Sequence, residues 1–150
     1  MQVGFNYRWT DVQAAIGIAQ LEKLDEILAR RGEVATRYGE LLAGLDGVEL
    51  PLADDADHRR SWFVYVVKLA PELDRDGVME AMRSRGVAVA EYVPCIHLQP
   101  YMRERYGFGE GLCPVAEDAS RRTLALPFAT GLEADDQERV VEALRAAAGR

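Results

Sequence analysis

The amino-acid sequence predicts an α+β fold with a small, mainly antiparallel sheet and helices packed on one side. Over residues 10–44 apolar residues recur every three or four positions, which is the period of a helix. Further along, two runs rich in β-branched residues, SWFVYVVKL (61–69) and GVAVAEYV (86–93), are separated by one short amphipathic stretch. Elements mixed in this way favour a sheet with its helices segregated to one face.

Composition narrows the class of protein. With 150 residues, 49% hydrophobic and 29% charged, the chain is predicted to form a single domain over 1–150. Its net charge of -7 disfavours nucleic acid or an anionic membrane as the main partner, because both require a basic surface. The sequence has neither an apolar run of transmembrane length nor a signal-peptide pattern, so a cytoplasmic location is expected. Cys95 and Cys113 form no CxxC pair, and no metal site is predicted.

The first helical region has a clear start and an expected interruption. Thr10 followed by Gln13 fits a capping box, in which each side chain satisfies a backbone donor of the first turn. Gly32 is unfavourable inside a helix, so we expect a break or kink between Leu21 and Gly32. The region 10–44 would link the domain to whatever precedes it.

The remaining elements follow from shorter patterns. Val78, Met79 and Met82 mark a short helix between the two strands. Residues 94–113 contain several turn signals and are predicted to form a loop, after which Pro114 opens another helix. A short strand, LALP (124–127), and a final helix within 136–149 complete the order.

Two groups of side chains suggest binding chemistry. Asn6 and Arg8 alternate on an extended approach to the capped helix, where a multi-donor guanidinium and an amide suit an anion. The simpler interpretation is a solvated arm, since chain ends often fray. The second group lies in a segment stiffened by Pro94 and Pro100 and offers stacking and hydrogen-bonding side chains. A lone histidine is more often structural, so a structural role and a substrate-binding role both stay open for His97. The members of this second group are Tyr92, His97, Gln99 and Tyr101.

Two further stretches lack the pattern that their composition suggests. ADDADHRR (53–60) has several carboxylates but not the spacing, glycine and final glutamate of a calcium loop. GFGEG (107–111) alternates glycines, yet no strand leads into it as a phosphate-binding loop would require. We expect a solvated turn and a mobile loop.

Residues 4–31, GFNYRWTDVQAAIGIAQLEKLDEILARR, resemble the pattern GxNxRxTxxQAAIGxxQLxxLD of the DegT/StrS family of nucleotide-sugar aminotransferases. The resemblance continues through SWFVYVV, EYVPCIHLQPYMRERYG, CPVAEDASRRTLALPF and DQERVVEALR, and so covers essentially the whole chain. Trp9 stands where this family usually has methionine, and Glu91 where it commonly has histidine.

The resemblance implies the C-terminal small domain of an enzyme dependent on pyridoxal phosphate (PLP). The family's large domain, which carries the PLP-binding lysine, would then be missing, and Met1 would be a wrongly assigned or truncated start. Neither Lys23 nor Lys68 lies in a pattern typical of a Schiff-base lysine, so no catalytic residue is assigned and the chain alone is expected to be inactive. Uncovered apolar surface on the first helix should favour self-association.

By resemblance, Asn6 and Arg8 would bind the cofactor phosphate of the neighbouring subunit in a homodimer. Tyr92, His97, Gln99 and Tyr101 would border the pocket for the nucleotide-linked keto sugar, with glutamate as the amino donor. The alternatives are a standalone, non-catalytic module that binds a nucleotide sugar or a protein, and a PLP-dependent sugar dehydratase of the same family.

Overall fold

The computed structural model describes residues 7–92 and 94–149 and confirms the predicted α+β fold. Within these ranges the chain forms six α-helices, one 3-10 turn and four strands. In chain order they are α1 (Asp11–Leu21), α2 (Leu24–Leu42), β1 (Val48–Glu49), β2 (Tyr65–Leu69), α3 (Arg75–Arg83), β3 (Ala90–Glu91), the 3-10 turn (Ile96–Leu98), α4 (Pro100–Tyr106), α5 (Pro114–Arg122), β4 (Thr123–Leu126) and α6 (Ala134–Ala148).

Helix α1 begins where the capping box predicts. The backbone N–H of Gln13 donates to Thr10 Oγ1 at 3.3 Å, and the N–H of Thr10 donates to Gln13 Oε1 at 2.9 Å. The predicted break is confirmed at Glu22–Lys23, where the N–H of Lys23 donates to the carbonyl of Gln20 in a tight turn. Gly32 lies inside α2, so the interruption falls at the early end of the predicted interval.

The four strands form one antiparallel sheet in the order β1-β2-β4-β3. The central pair is β2 and β4, which places Tyr65 opposite Leu126 and Val67 opposite Leu124. The edge strands are two residues long, and β3 pairs only with Ala125 and Leu124 of β4.

Two strands are shorter than the sequence predicts. Trp62 has a φ of 47°, in the left-handed region that a bulky side chain rarely adopts, and this bend interrupts the run SWFVYVVKL before β2 begins at Tyr65. In the run GVAVAEYV, Val87 and Val89 are buried, but only Ala90–Glu91 reach partners on the short β4.

The core lies between the sheet and helices α2, α3 and α6. Successive strand residues point to opposite faces, and β2 accordingly alternates buried with half-buried residues. One face buries Tyr65, Val67 and Leu69 against the apolar sides of the three helices. The fully buried helical residues of this core include Tyr38, Leu42, Met82 and Leu144.

Two buried polar side chains fix α2 against its neighbours. Gln137 on α6 is 2% exposed, and its Nε2 donates to the carbonyl of Val34 at 2.9 Å. The hydroxyl of Tyr38 donates to the carbonyl of Pro127 just after β4, also at 2.9 Å. Because buried polar groups are costly without partners, these bonds specify how the helices seat on the sheet.

Helix α4 corrects the prediction of a continuous loop over 94–113. Pro100 occupies the first turn of α4, where its missing N–H costs nothing, and Gly107 ends it with a φ of 69°. These are ordinary start and stop signals, but the helix between them is too short for periodicity to reveal it.

Candidate functional site

The predicted anion-binding pair is described only in part. Asn6 lies outside the described residues, whereas Arg8 is exposed just before the N-cap of α1. Its neighbours Tyr7 and Trp9 are 91% and 73% exposed. The indole of Trp9 lies over Gly17, so close that a Cβ there would be 2.9 Å from the ring. An exposed guanidinium beside a helix start is chemically able to bind an anion.

Helix α1, which lies wholly within the described residues, has no buried residue. At about 100° per residue, Val12 and Ile16 lie on one side of the helix, and Ile18 and Leu21 lie on the opposite side. All four side chains are between 59% and 70% exposed. A helix that is apolar on two opposite sides is typical of one covered on both, and in the described chain both sides of α1 are uncovered.

Tyr92 lies apart from the other predicted substrate residues. It is 38% exposed and lines a shallow cavity of about 380 Å³, together with Phe63 and Val66. Arg60 lies on the same cavity, with its guanidinium 5.4 Å from the ring centroid of Trp62. An aromatic and cationic lining suits a ring or an anionic group.

His97 lies in a buried hydrogen-bond cluster. The residue is 9% exposed, and its Nε2 is 2.8 Å from Oε1 of Glu117, which is 5% exposed. The same carboxylate accepts hydrogen bonds from the N–H groups of Gly111 and Cys113. The Gly111 N–H first, and then the His97 side chain, lower the pKa of Glu117 to about 2, so the carboxylate is ionised at neutral pH. This position gives His97 a structural partner and keeps most of its ring away from solvent.

Gln99 and Tyr101 lie at the start of α4, and both are exposed. The carbonyl of Gln99 caps the helix by accepting from the N–H groups of Met102 and Arg103. The guanidinium of Arg105 lies 5.9 Å from the ring of Tyr101 and 5.7 Å from that of Tyr106. The outer surface of α4 is therefore a group of aromatic rings around one cation.

The structure thus brings three of the predicted substrate residues, His97, Gln99 and Tyr101, into one segment and leaves Tyr92 in a separate cavity. Sequence reasoning missed Glu117 and Arg105. Arg105 lies four residues after Tyr101, a helical spacing that becomes informative only once α4 is known. Glu117 lies in the first turn of α5, where an acidic residue is common, and no local pattern singles it out from other helical glutamates.

Neither lysine lies in a cofactor pocket. Lys23 is exposed at the N-cap of α2. The Nζ of Lys68 lies 3.5 Å from Oδ2 of Asp118, and its side chain is 32% exposed. A lysine that forms an aldehyde adduct needs a pocket holding its amine beside the cofactor, which neither position offers, so the described residues do not fit a covalent PLP site.

The larger clefts of the described chain do not include any of the predicted site residues. Two larger clefts, of about 700 Å³ beside α6 and about 610 Å³ beside α2, are lined by other side chains. Within 7–92 and 94–149, no three histidine, cysteine or acidic residues come together as a metal site. In the same part of the chain no helix is both long and apolar enough to cross a bilayer.

Fold and site together define a small α+β domain whose first helix is apolar on two uncovered sides and follows an exposed arginine. A family model described as the DegT/DnrJ/EryC1/StrS aminotransferase family matches residues 1–145, and the chain belongs to this family. It is 40% identical over 139 residues to a protein of Saccharopolyspora spinosa named dTDP-4-dehydro-2,3,6-trideoxy-D-glucose 4-aminotransferase. The match covers 88% of this chain and 34% of that protein.

Solved structures agree in fold. DesV of S. venezuelae, in complex with a ketimine intermediate, is 32% identical with a TM-score of 0.87, over 99% of this chain and 39% of that one. The aminotransferase TlmJ of Streptoalloteichus hindustanus is 34% identical with a TM-score of 0.80, over 91% of this chain and 36% of that one. The chain thus spans little more than a third of the length of these relatives.

Proposed function

We propose that this chain is the C-terminal small domain, residues 1–150, of a PLP-dependent aminotransferase acting on a nucleotide-linked keto sugar. The single observation that carries the proposal is helix α1, which has no buried residue and exposes apolar side chains on two opposite sides. The chain belongs to the aminotransferase family but spans about a third of its relative's length. The rest of the enzyme would cover this helix.

In the complete enzyme, one side of α1 would pack on the large domain and the other on a second subunit. A dimer of this kind would bring Arg8, and Asn6 two residues before it, to the active site of the neighbouring subunit. A phosphate of charge near -2 is held best by charge-assisted donors, and Arg8 is exposed in the described chain, where it can serve as one. The two residues would hold the PLP phosphate.

The substrate would lie along the surface formed by α4 and the turn before it. Gln99 and Tyr101 are exposed there, and Tyr92 offers a second aromatic surface in its own cavity. His97, bonded to Glu117, would act on the substrate mainly by shaping this wall. Aromatic rings beside hydrogen-bonding groups suit a nucleotide and a sugar, and the name of the 40% identical relative contains a dTDP-sugar.

PLP supplies the electron sink for amino transfer when it is bound. Its lysine would come from the large domain, because Lys23 is exposed and Lys68 is paired with Asp118. The chain alone is therefore expected to be inactive, and the complete enzyme to be a cytoplasmic homodimer that uses glutamate as amino donor.

The cofactor contact is tested by Asn6→Ala and Arg8→Ala in the complete enzyme. Each change should weaken PLP retention about tenfold or more, because it removes a donor to the phosphate. Equilibrium dialysis against PLP measures this, and Arg59→Ala, an exposed arginine distant in sequence, serves as the control. Unchanged PLP affinity in both variants would remove the pair from the site.

The main alternative is a non-catalytic module that binds a nucleotide sugar or a protein by itself. It is favoured if the 150-residue chain binds a dTDP-sugar saturably in calorimetry without any large domain. The proposed function predicts negligible binding, because the described chain provides only one wall of the pocket. The other alternative is a PLP-dependent sugar dehydratase. Product analysis of the complete enzyme distinguishes amino transfer from dehydration.

A further inference from the structure

One buried carboxylate ties together the segment that carries the proposed substrate wall. Oε1 of Glu117 accepts from the N–H of Cys113 at 3.1 Å and lies 2.8 Å from His97 Nε2. The N–H of Gly111 donates to both carboxylate oxygens, with its nitrogen 3.0 Å from Oε1 and 2.9 Å from Oε2. Glu117 thus contacts the turn before α4 on one side and the loop after α4 on the other.

Apart from these attachments, helix α4 is not fixed by burial in the core. It has no buried residue, so core packing does not fix its position as it fixes α2, α3 and α6. Its start follows directly from the turn containing His97, and its end leads through Gly107 into the loop closed at Gly111. Both ends of the segment 97–113 are therefore attached to the same side chain of α5.

The ionised form of Glu117 suits this attachment. Two backbone N–H groups and one imidazole nitrogen face a group that is acceptor-only when deprotonated, and hydrogen bonds to a charged acceptor are about twice as strong as neutral ones. A glutamine at this position would keep one carbonyl oxygen as an acceptor. Its NH₂ would replace the second oxygen and face N–H groups that donate to the carboxylate. The geometry therefore depends on the carboxylate.

We propose that Glu117 is a positioning residue that fixes α4, and with it Gln99 and Tyr101, against the bound nucleotide sugar. This inference rests on the proposed function. Glu117 does not itself need to touch the substrate: its effect passes through His97 and the loop 111–113. Binding of the keto-sugar substrate should then depend on Glu117, because its nucleotide and sugar ring would contact this wall. Reaction with glutamate, which has neither group, should not depend on it.

The test uses Glu117→Gln in the complete enzyme. The KM for the nucleotide keto sugar should rise about tenfold or more, with PLP content and the rate of the glutamate half-reaction unchanged. Asp118→Asn is the matched control: it makes the same chemical change one residue along α5, where Oδ2 pairs with Arg122 and Lys68 instead. Its KM should stay within about twofold of wild type.

A second variant and a second measurement keep the inference falsifiable if Glu117→Gln does not fold. Glu117→Asp keeps the charge but shortens the side chain, and it should also raise this KM, whereas a role of charge alone would leave it at the wild-type value. In the 150-residue chain, amide hydrogen exchange at Gly111 and Cys113 should be slow in wild type and in Asp118→Asn, and faster in Glu117→Asp, whose shorter side chain cannot reach these N–H groups.

The outcomes separate the two proposals. If the wild-type enzyme is active and the Glu117 variants keep the wild-type KM, or lose both half-reactions equally, the positioning role is wrong and the proposed function stands. If the wild-type complete enzyme does not transfer an amino group to any nucleotide keto sugar, the proposed function fails and the positioning role fails with it.

Discussion

At the scale of single residues, ionisation and burial decide the role of the side chains around α5. Glu117 is buried yet charged, and it remains so because donors surround it on the sides of Gly111, Cys113 and His97. Asp118, the next residue, faces Lys68 and Arg122 at the surface. Adjacent carboxylates on one helix therefore have different tasks, one organising a loop and the other forming half-buried ion pairs.

Glu117 predicts a specific acid sensitivity. Its pKa in the folded chain, about 2, is below the ordinary value of 4.5, so folding favours the deprotonated form. The stabilisation is complete above pH 4.5 and is lost as the pH falls toward about 2. Urea denaturation of the 150-residue chain across this window should show a smaller decline for Glu117→Gln than for wild type. Equal declines in both proteins would contradict the assignment.

At the scale of elements, the sequence predicts where some helices begin better than it predicts short elements and strand ends. Thr10 with Gln13 predicts the start of α1, and Pro114 that of α5, because both use local backbone chemistry. The sequence does not reveal that β2 starts only at Tyr65, since the bend at Trp62 depends on tertiary packing. Nor can it reveal the contact between His97 and Glu117, which are twenty residues apart and joined only by the fold.

Helix α6 provides a test of the core. Leu144 is fully buried between α6 and the sheet, so Leu144→Ala removes apolar contacts and leaves a cavity. We expect a loss of about 2–5 kcal/mol in the free energy of unfolding, measured by urea denaturation. Val115 on α5 is 83% exposed, and Val115→Ala should change the same quantity by less than about 0.5 kcal/mol. Similar losses in both variants would show that α6 does not pack as described.

At the scale of the whole molecule, the domain has a complete core but an uncovered first helix. Helices α2, α3 and α6 bury their apolar sides on the sheet, whereas α1 buries none of its residues. Exposed apolar surface of this extent marks an interface. The chain therefore has a packed core and a first helix whose apolar sides are uncovered, as the proposed function expects.

This surface predicts self-association of the 150-residue chain. The average mass in light scattering should rise with concentration, and Ile16→Glu or Ile18→Glu should reduce the rise by placing a charge on either apolar side of α1. Val115→Glu, an equally polar change at an exposed site on α5, should leave it unaltered. A strictly monomeric mass at high wild-type concentration would contradict the prediction.

The most direct test of the account is complementation between subunits of the complete enzyme. One variant would lack the Schiff-base lysine of the proposed large domain, and the other would carry Asn6→Ala with Arg8→Ala; at limiting PLP each should be inactive alone. Each mixed dimer restores one site, so unfolding and refolding an equal mixture should recover about a quarter of wild-type activity. An inactive mixture in which mixed dimers are shown to form would mean that Asn6 and Arg8 do not act across the dimer, and the central claim would be wrong.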